Sequence, residues 1–119
     1  MKYLCLVYFE QKKLDALSRS EYDALVDEAA AYDDELRRSG HYVLSDTMQS
    51  VRTAPTIRIQ DGKASTADGP CAEAREQLSG FMLINARDLN DAIRVASRFP
   101  PARLGCIEVR PIKDVAFAC

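Results

Sequence analysis

The chain of 119 residues is 47% hydrophobic and 29% charged, with a formal net charge of -2 and a pI near 5.4; this bounds it to a single domain around one core and leaves no basic field for nucleic acid as a direct partner. Cys5, Cys71, Cys106 and Cys119 have no CxxC spacing and no histidine beside them, so neither a zinc site nor a disulfide framework is indicated. The apolar run from Tyr3 to Phe9 is too short for a membrane span and ends without a small-residue cleavage site, which points to a cytoplasmic protein with no membrane partner.

Lys2 to Phe9 reads as a strand whose two alternating sets, Leu4/Leu6/Tyr8 and Tyr3/Cys5/Val7/Phe9, are both largely apolar, so both of its faces are to be covered. Ser18-x-x-Glu21 and Ser20-x-x-Asp23 are overlapping capping-box candidates ahead of a helical stripe of Tyr22, Leu25, Val26, Ala29, Tyr32 or Asp33, and Leu36. Gly40 ends this helix after Arg37 and Arg38, which suit its negative end. His41 to Met48 reads as a strand, and Thr56 to Gln60 with Lys63 to Thr66 as a hairpin about Asp61-Gly62, with Ile57 and Ile59 on one face.

After a tight Asp68-Gly69-Pro70 corner, Ser79 to Ala86 is a further strand that is apolar on both faces, in Phe81/Leu83 and Met82/Ile84. Asp88-x-x-Asp91 caps a second helix with Leu89, Ala92, Ile93 and Ala96 as its inward stripe, and Pro100-Pro101 stops it. Gly105 to Ile112 closes the chain as a strand with Ile107 and Val109 on one face and Cys106, Glu108 and Arg110 on the other. The order predicts a ferredoxin-like α+β domain, βαββαβ with an extra β-hairpin, spanning residues 1–119. Its antiparallel sheet carries two helices on one face. Those helices leave the other apolar face bare, and the simplest cover is a second copy about a two-fold axis, making a homodimer.

The ordered run of Asp68-Gly69-Pro70, Glu76-Gln77-Leu78 with Gly80-Phe81, the Leu89-to-Ala92 helix and Glu108-Val109-Arg110-Pro111 resembles the YCII-related proteins of the DGPF type over most of the chain. The resemblance implies a dimeric α+β barrel, a bacterial protein without an assigned reaction, and an association with sigma factors in transcription initiation. It implies a ligand in the barrel, and related barrels include lactone isomerases and monooxygenases that need no metal. Cys71 stands where the family usually carries an aromatic residue. Shorter YCII proteins have a proposed His-Asp pair whose histidine belongs in the first helix; the corresponding stretch around Ala29 and Ala30 has none, so Asp46 lacks that partner here.

The candidate chemistry rests on few residues. Glu108 and Arg110 share the strand face away from the helices, where Arg110 could clamp the carboxylate of a small acidic ligand and Glu108 could move a proton, or the two could simply form an ion pair at a dimer contact. Asp68 is a second candidate base, or the hydrogen-bond acceptor of its own turn. With Glu73 and Glu76 it puts three carboxylates near one loop, to be read as part of a substrate site or as surface charge, with no spacing that fixes a metal. Cys5 and Cys106 read as small buried thiols, Cys71 as an exposed one, and Arg58 as solvated. His41, the only histidine, reads as a solvent-facing residue beside the last helix carbonyls or as an acid-base group. No GxSxG, phosphate-binding glycine loop or GxGxxG is present, which leaves a cofactor-free enzyme such as an isomerase or lyase, a regulatory ligand-binding module, or a structural dimer.

Overall fold

A computed structural model describes residues 1–71 and 76–113. Strand β1 (Lys2–Glu10) runs into a short helix α1 (Gln11–Asp15), and the long helix α2 (Arg19–Arg38) returns the chain to β2 (Tyr42–Thr47). The hairpin β3 (Pro55–Gln60) and β4 (Lys63–Asp68) follows, then β5 (Glu76–Asn85), α3 (Leu89–Ser97), a 3-10 turn at Pro100–Leu104, and β6 (Gly105–Pro111). Four strands form one antiparallel sheet in the order β2-β5-β1-β6, while β3 and β4 pair only with each other. This is the ferredoxin-like α+β arrangement with an added hairpin, as the element order predicts.

Local chemistry sets the ends of these elements. Of the two candidate capping boxes the chain uses the first: the Ser18 side chain accepts from the Glu21 amide at 3.1 Å, and Glu21 accepts from the Ser18 amide at 2.9 Å. Gly40, at φ 79°, closes α2 by letting His41 N–H reach Leu36 O at 2.9 Å and Gly40 N–H reach Arg37 O at 3.3 Å, the paired bonds of a Schellman ending. Asp61 and Gly62 both have positive φ, 52° and 74°, the backbone of a two-residue hairpin turn whose twist matches its strands. The strand after the Asp68 corner begins at Glu76 rather than Ser79.

The core lies on one side of the sheet. Tyr3, Cys5, Met82 and Ile84 project from β1 and β5 against Tyr32 and Leu36 of α2 and Ala92, Val95 and Ala96 of α3. Met82 and Ile84 are fully buried, each contributing about 1.5–3 kcal/mol relative to exposure. Ile107 and Val109 of β6 pack against this cluster from the sheet's edge. Three expectations need correction. Leu89 and Ile93 are exposed, and Val95 takes their place inside beside Ala92 and Ala96. Cys106 is exposed, since it points away from the helices. The N-terminal half of the α2 stripe is not packed, with Tyr22 44% and Val26 48% exposed against 6% for Tyr32 and 4% for Leu36.

Candidate functional site

That unpacked half roofs a cavity of about 640 Å³. Leu14 of α1 and Tyr22, Leu25, Val26, Ala29 and Asp33 of α2 form one wall, Val7 and Phe9 of β1 with Gly80 of β5 another, and the segment from Met48 to Val51 after β2 closes a third side. A volume of several hundred cubic ångströms, mostly apolar with a few polar groups, is the usual form of a small-molecule site.

Asp33 is the polar centre of this wall. Five helical positions earlier Glu28 faces outward to Arg103, but Asp33 falls in the apolar stripe, four after Ala29 and three before Leu36, so the helix carries its carboxyl inward. Oδ2 accepts from Ser45 Oγ at 3.4 Å, and Ser45 in turn lies 2.9 Å from Tyr42 OH. Oδ1 is buried and has no hydrogen-bond partner among the described residues. Burial pushes the carboxyl above the ordinary aspartate range, opposed by the Ser45 hydrogen bond and the nearby Arg37 charge. Arg37 itself is held elsewhere, 2.6 Å from Asp34 and 4.3 Å above the Tyr42 ring. Unpartnered buried carboxylate oxygens are costly and rare in folded proteins, and carboxyls raised by desolvation inside a hollow are the usual raw material of proton transfer.

The residues singled out from sequence are dispersed. Glu108 and Arg110 do share the open face, and they bond each other at 3.1 Å with both side chains substantially exposed. Glu76 begins β5 opposite Glu10 of β1, and Cys106 Sγ lies 3.9 Å from its carboxylate; partial desolvation, then the Glu76 and Glu108 charges, hold that thiol above its ordinary range. Asp68 ends β4 on the separate hairpin, opposite Pro55. Glu73 and Cys119 lie outside the described residues. Cys5 is buried and its thiol is pushed up to about 11 by desolvation, whereas Cys71 is exposed. Arg58 is not merely solvated, since it donates to the Cys71 carbonyl at 3.1 Å. Among the described residues no group of three or more His, Cys, Asp or Glu side chains is gathered to hold a metal ion.

His41 also departs from expectation. Its Nε2 lies 3.0 Å from Asp91 Oδ2 and its Nδ1 2.7 Å from Ser39 Oγ, with only 16% of the side chain exposed. Asp91 is buried and accepts from the Arg87 amide at 3.0 Å and from Arg94 at 2.6 Å as well, and these bonds hold its carboxyl well below the ordinary range. Ser39 also donates to Leu36 O at 3.1 Å. The chain of Ser, His and Asp has the outline of a hydrolase triad, but both Asp91 oxygens are already committed to arginine and backbone. Its effect is to latch the end of α2 and the entry to β2 onto the start of α3.

An antiparallel sheet ordered β2-β5-β1-β6, with α2 and α3 on one face, defines a ferredoxin-like α+β domain. Within that class the chain belongs to the YCII-related domain family, whose match runs over residues 1–116. It is 30% identical over 114 residues to an uncharacterised protein of Rhizobium meliloti (strain 1021), covering 94% of this chain and 92% of that one. Among the described residues no helix is long and apolar enough to cross a membrane.

Proposed function

We propose that this YCII-related protein binds a small, largely apolar molecule in the cavity beneath α2 and that Asp33 holds or moves a proton on it without a cofactor. The observation that carries this is Asp33, which lines a hollow of about 640 Å³ and whose buried Oδ1 has no hydrogen-bond partner among the described residues. A raised carboxyl in an apolar wall can serve as a general acid and, once ionised, as a base, which suits isomerisation or elimination. The acidic ligand expected from Arg110 has less support in this cavity, because Arg110 lies on the outer strand and is engaged by Glu108.

Thermal unfolding against a panel of small metabolites tests the reading, with Ala29→Phe as a variant whose ring fills the hollow. A ligand at one hundred times its dissociation constant adds about 2.7 kcal/mol, on the order of 10 °C for a domain of this size. The reading requires such a shift in the wild type and its loss in the filled variant; equal shifts in both proteins would refute it. Turnover that disappears in Asp33→Asn while binding persists would make the protein an enzyme. Binding without turnover would leave it a sensor, for which a sigma factor is the protein partner that the resemblance implies.

We further propose that a second copy covers the open sheet face. Register brings Leu4 beside Leu83 and Leu6 beside Phe81 there, a half-exposed apolar centre flanked by Glu108 and Arg110. Sedimentation equilibrium should give a dimer that Leu6→Arg converts to monomer; a monomeric wild type at micromolar concentration removes the proposal.

A further inference from the structure

The β3-β4 hairpin has no core of its own. Every residue of β4 is exposed, as is every residue of β3 except Thr56, and the two strands pair only with each other. A two-stranded hairpin left alone in water is at best marginally stable. Its two faces differ. Register sets Ile57 beside Thr66 and Ile59 beside Ala64 on one face, and Thr56, Arg58 and Gln60 beside Ala67, Ser65 and Lys63 on the other. The second face is turned to its own chain, since Thr56 Oγ1 donates to Gly69 O and Arg58 to Cys71 O. The isoleucine face therefore looks outward, with Ile57 62% and Ile59 73% exposed. A cover for them would supply the apolar burial that the hairpin lacks.

Area indicates what that cover is. The open sheet face is four strands wide, and its edge strand β2 is six residues long, which at the usual spacings is roughly 19 Å by 20 Å. Two such faces pressed together cover on the order of 800 Å², about half of the ~1,600 Å² of a standard stable interface. A hairpin two strands wide and six residues long offers roughly 10 Å by 20 Å. Counted on both arms and on the surface each one covers, it adds on the order of 800 Å² and brings the total to the standard size. The apolar surface also runs toward the arm. Leu4, Leu83 and Leu44 form one row across β1, β5 and β2, and Leu44 stands exposed on the edge strand after which the hairpin leaves the sheet.

We propose that the hairpin is a dimer arm, laying Ile57 and Ile59 on a second copy of the chain while the partner's arm does the same in return. The proposal rests on a second copy covering the open sheet face. It goes beyond that cover by assigning the hairpin and its two isoleucines to the interface. The two-fold axis repeats each contact, so every change in the arm acts twice.

Sedimentation velocity over a dilution series of the full chain tests this. Ile57→Asp combined with Ile59→Asp should weaken the dimer at least about a hundredfold, because four covered isoleucines become charges at once. Gln60→Asp combined with Ser65→Asp adds the same charge to the opposite face and should leave the dissociation constant within about threefold. Replacing Pro55–Asp68 by a short glycine-serine loop is a second way to remove the arm. Gly69 N–H already donates to Ala54 O at 2.6 Å, so the ends meet, and the four-stranded sheet pairs with neither hairpin strand. That variant should keep a cooperative thermal transition and lose at least as much dimer affinity as the double isoleucine change. A wild-type dimer that Leu6→Arg dissociates but both arm variants leave intact would overturn the arm, leave the sheet-face dimer standing and give the isoleucines to a partner of another kind. A monomeric wild type would remove the dimer and the arm together.

Discussion

The two halves of α2 share a helix, a periodicity and a polar outer face, yet they end differently. From Tyr32 to Leu36 the stripe is sealed against Tyr3, Met82, Ile84 and the small residues of α3, and Tyr32 OH donates to Val95 O at 2.6 Å. From Tyr22 to Ala29 the same stripe, with Leu14 of α1, looks across a cavity at Val7, Phe9 and Gly80. The difference lies with the partner: α3 is only nine residues long and covers one end of the sheet. A hydrophobic stripe thus specifies which way a helix faces, and the neighbouring element decides whether that face becomes core or binding wall.

The contrast can be tested by truncation and by pH. In the sealed half, Ile84→Ala should cost about 2–5 kcal/mol and lower the unfolding midpoint by roughly 10–20 °C. Tyr32→Phe should cost about 0.5–1.5 kcal/mol, because it removes one buried hydrogen bond to Val95 O, which still accepts from the Arg98 amide. On the cavity side Val26→Ala, already half-exposed, should cost below about 1 kcal/mol; a loss matching that of Ile84→Ala would erase the distinction between the halves. Titration separates two carboxyls by sign. Asp91 is held below its ordinary range, so its contribution is present above the unfolded value near 3.9 and fades as pH falls through the folded value; Asp91→Asn should therefore destabilise at neutral pH and match the wild type in strong acid. Asp33 is raised by burial, so its favourable contribution is present below the unfolded value and lost as pH rises through the folded one. The smallest effect follows: Asp33→Asn should slightly raise the midpoint at neutral pH, with the gain vanishing on acidification.

Much of the fold was legible because its signals are local. The Ser18 to Glu21 box, the Gly40 ending and the Asp61-Gly62 turn each need only a few consecutive residues. The alternation of Ile107 and Val109 with Glu108 and Arg110 gave the facing of β6 without any distant information. The inward stripe of α3 was half legible: Ala92 and Ala96 are inside as their spacing predicts, whereas Leu89 and Ile93, larger and more apolar, are exposed and Val95 is buried in their stead. Asp33 carried a signal that could have been used, a charge standing in an apolar stripe beside Tyr32. The pairing of His41 with Asp91 spans 50 residues and joins two helix ends, so it could be read only once the sheet had brought them together.

The most direct measurement is amide hydrogen exchange along α2, in the free protein and with the best ligand from the thermal screen. Sealed packing should slow exchange from 32 to 38, the open half from 22 to 30 should exchange much faster, and ligand should protect that half with the ends of β2 and β1. Uniform protection along the helix, or a ligand that slows the sheet's open face instead, would contradict a binding site beneath α2.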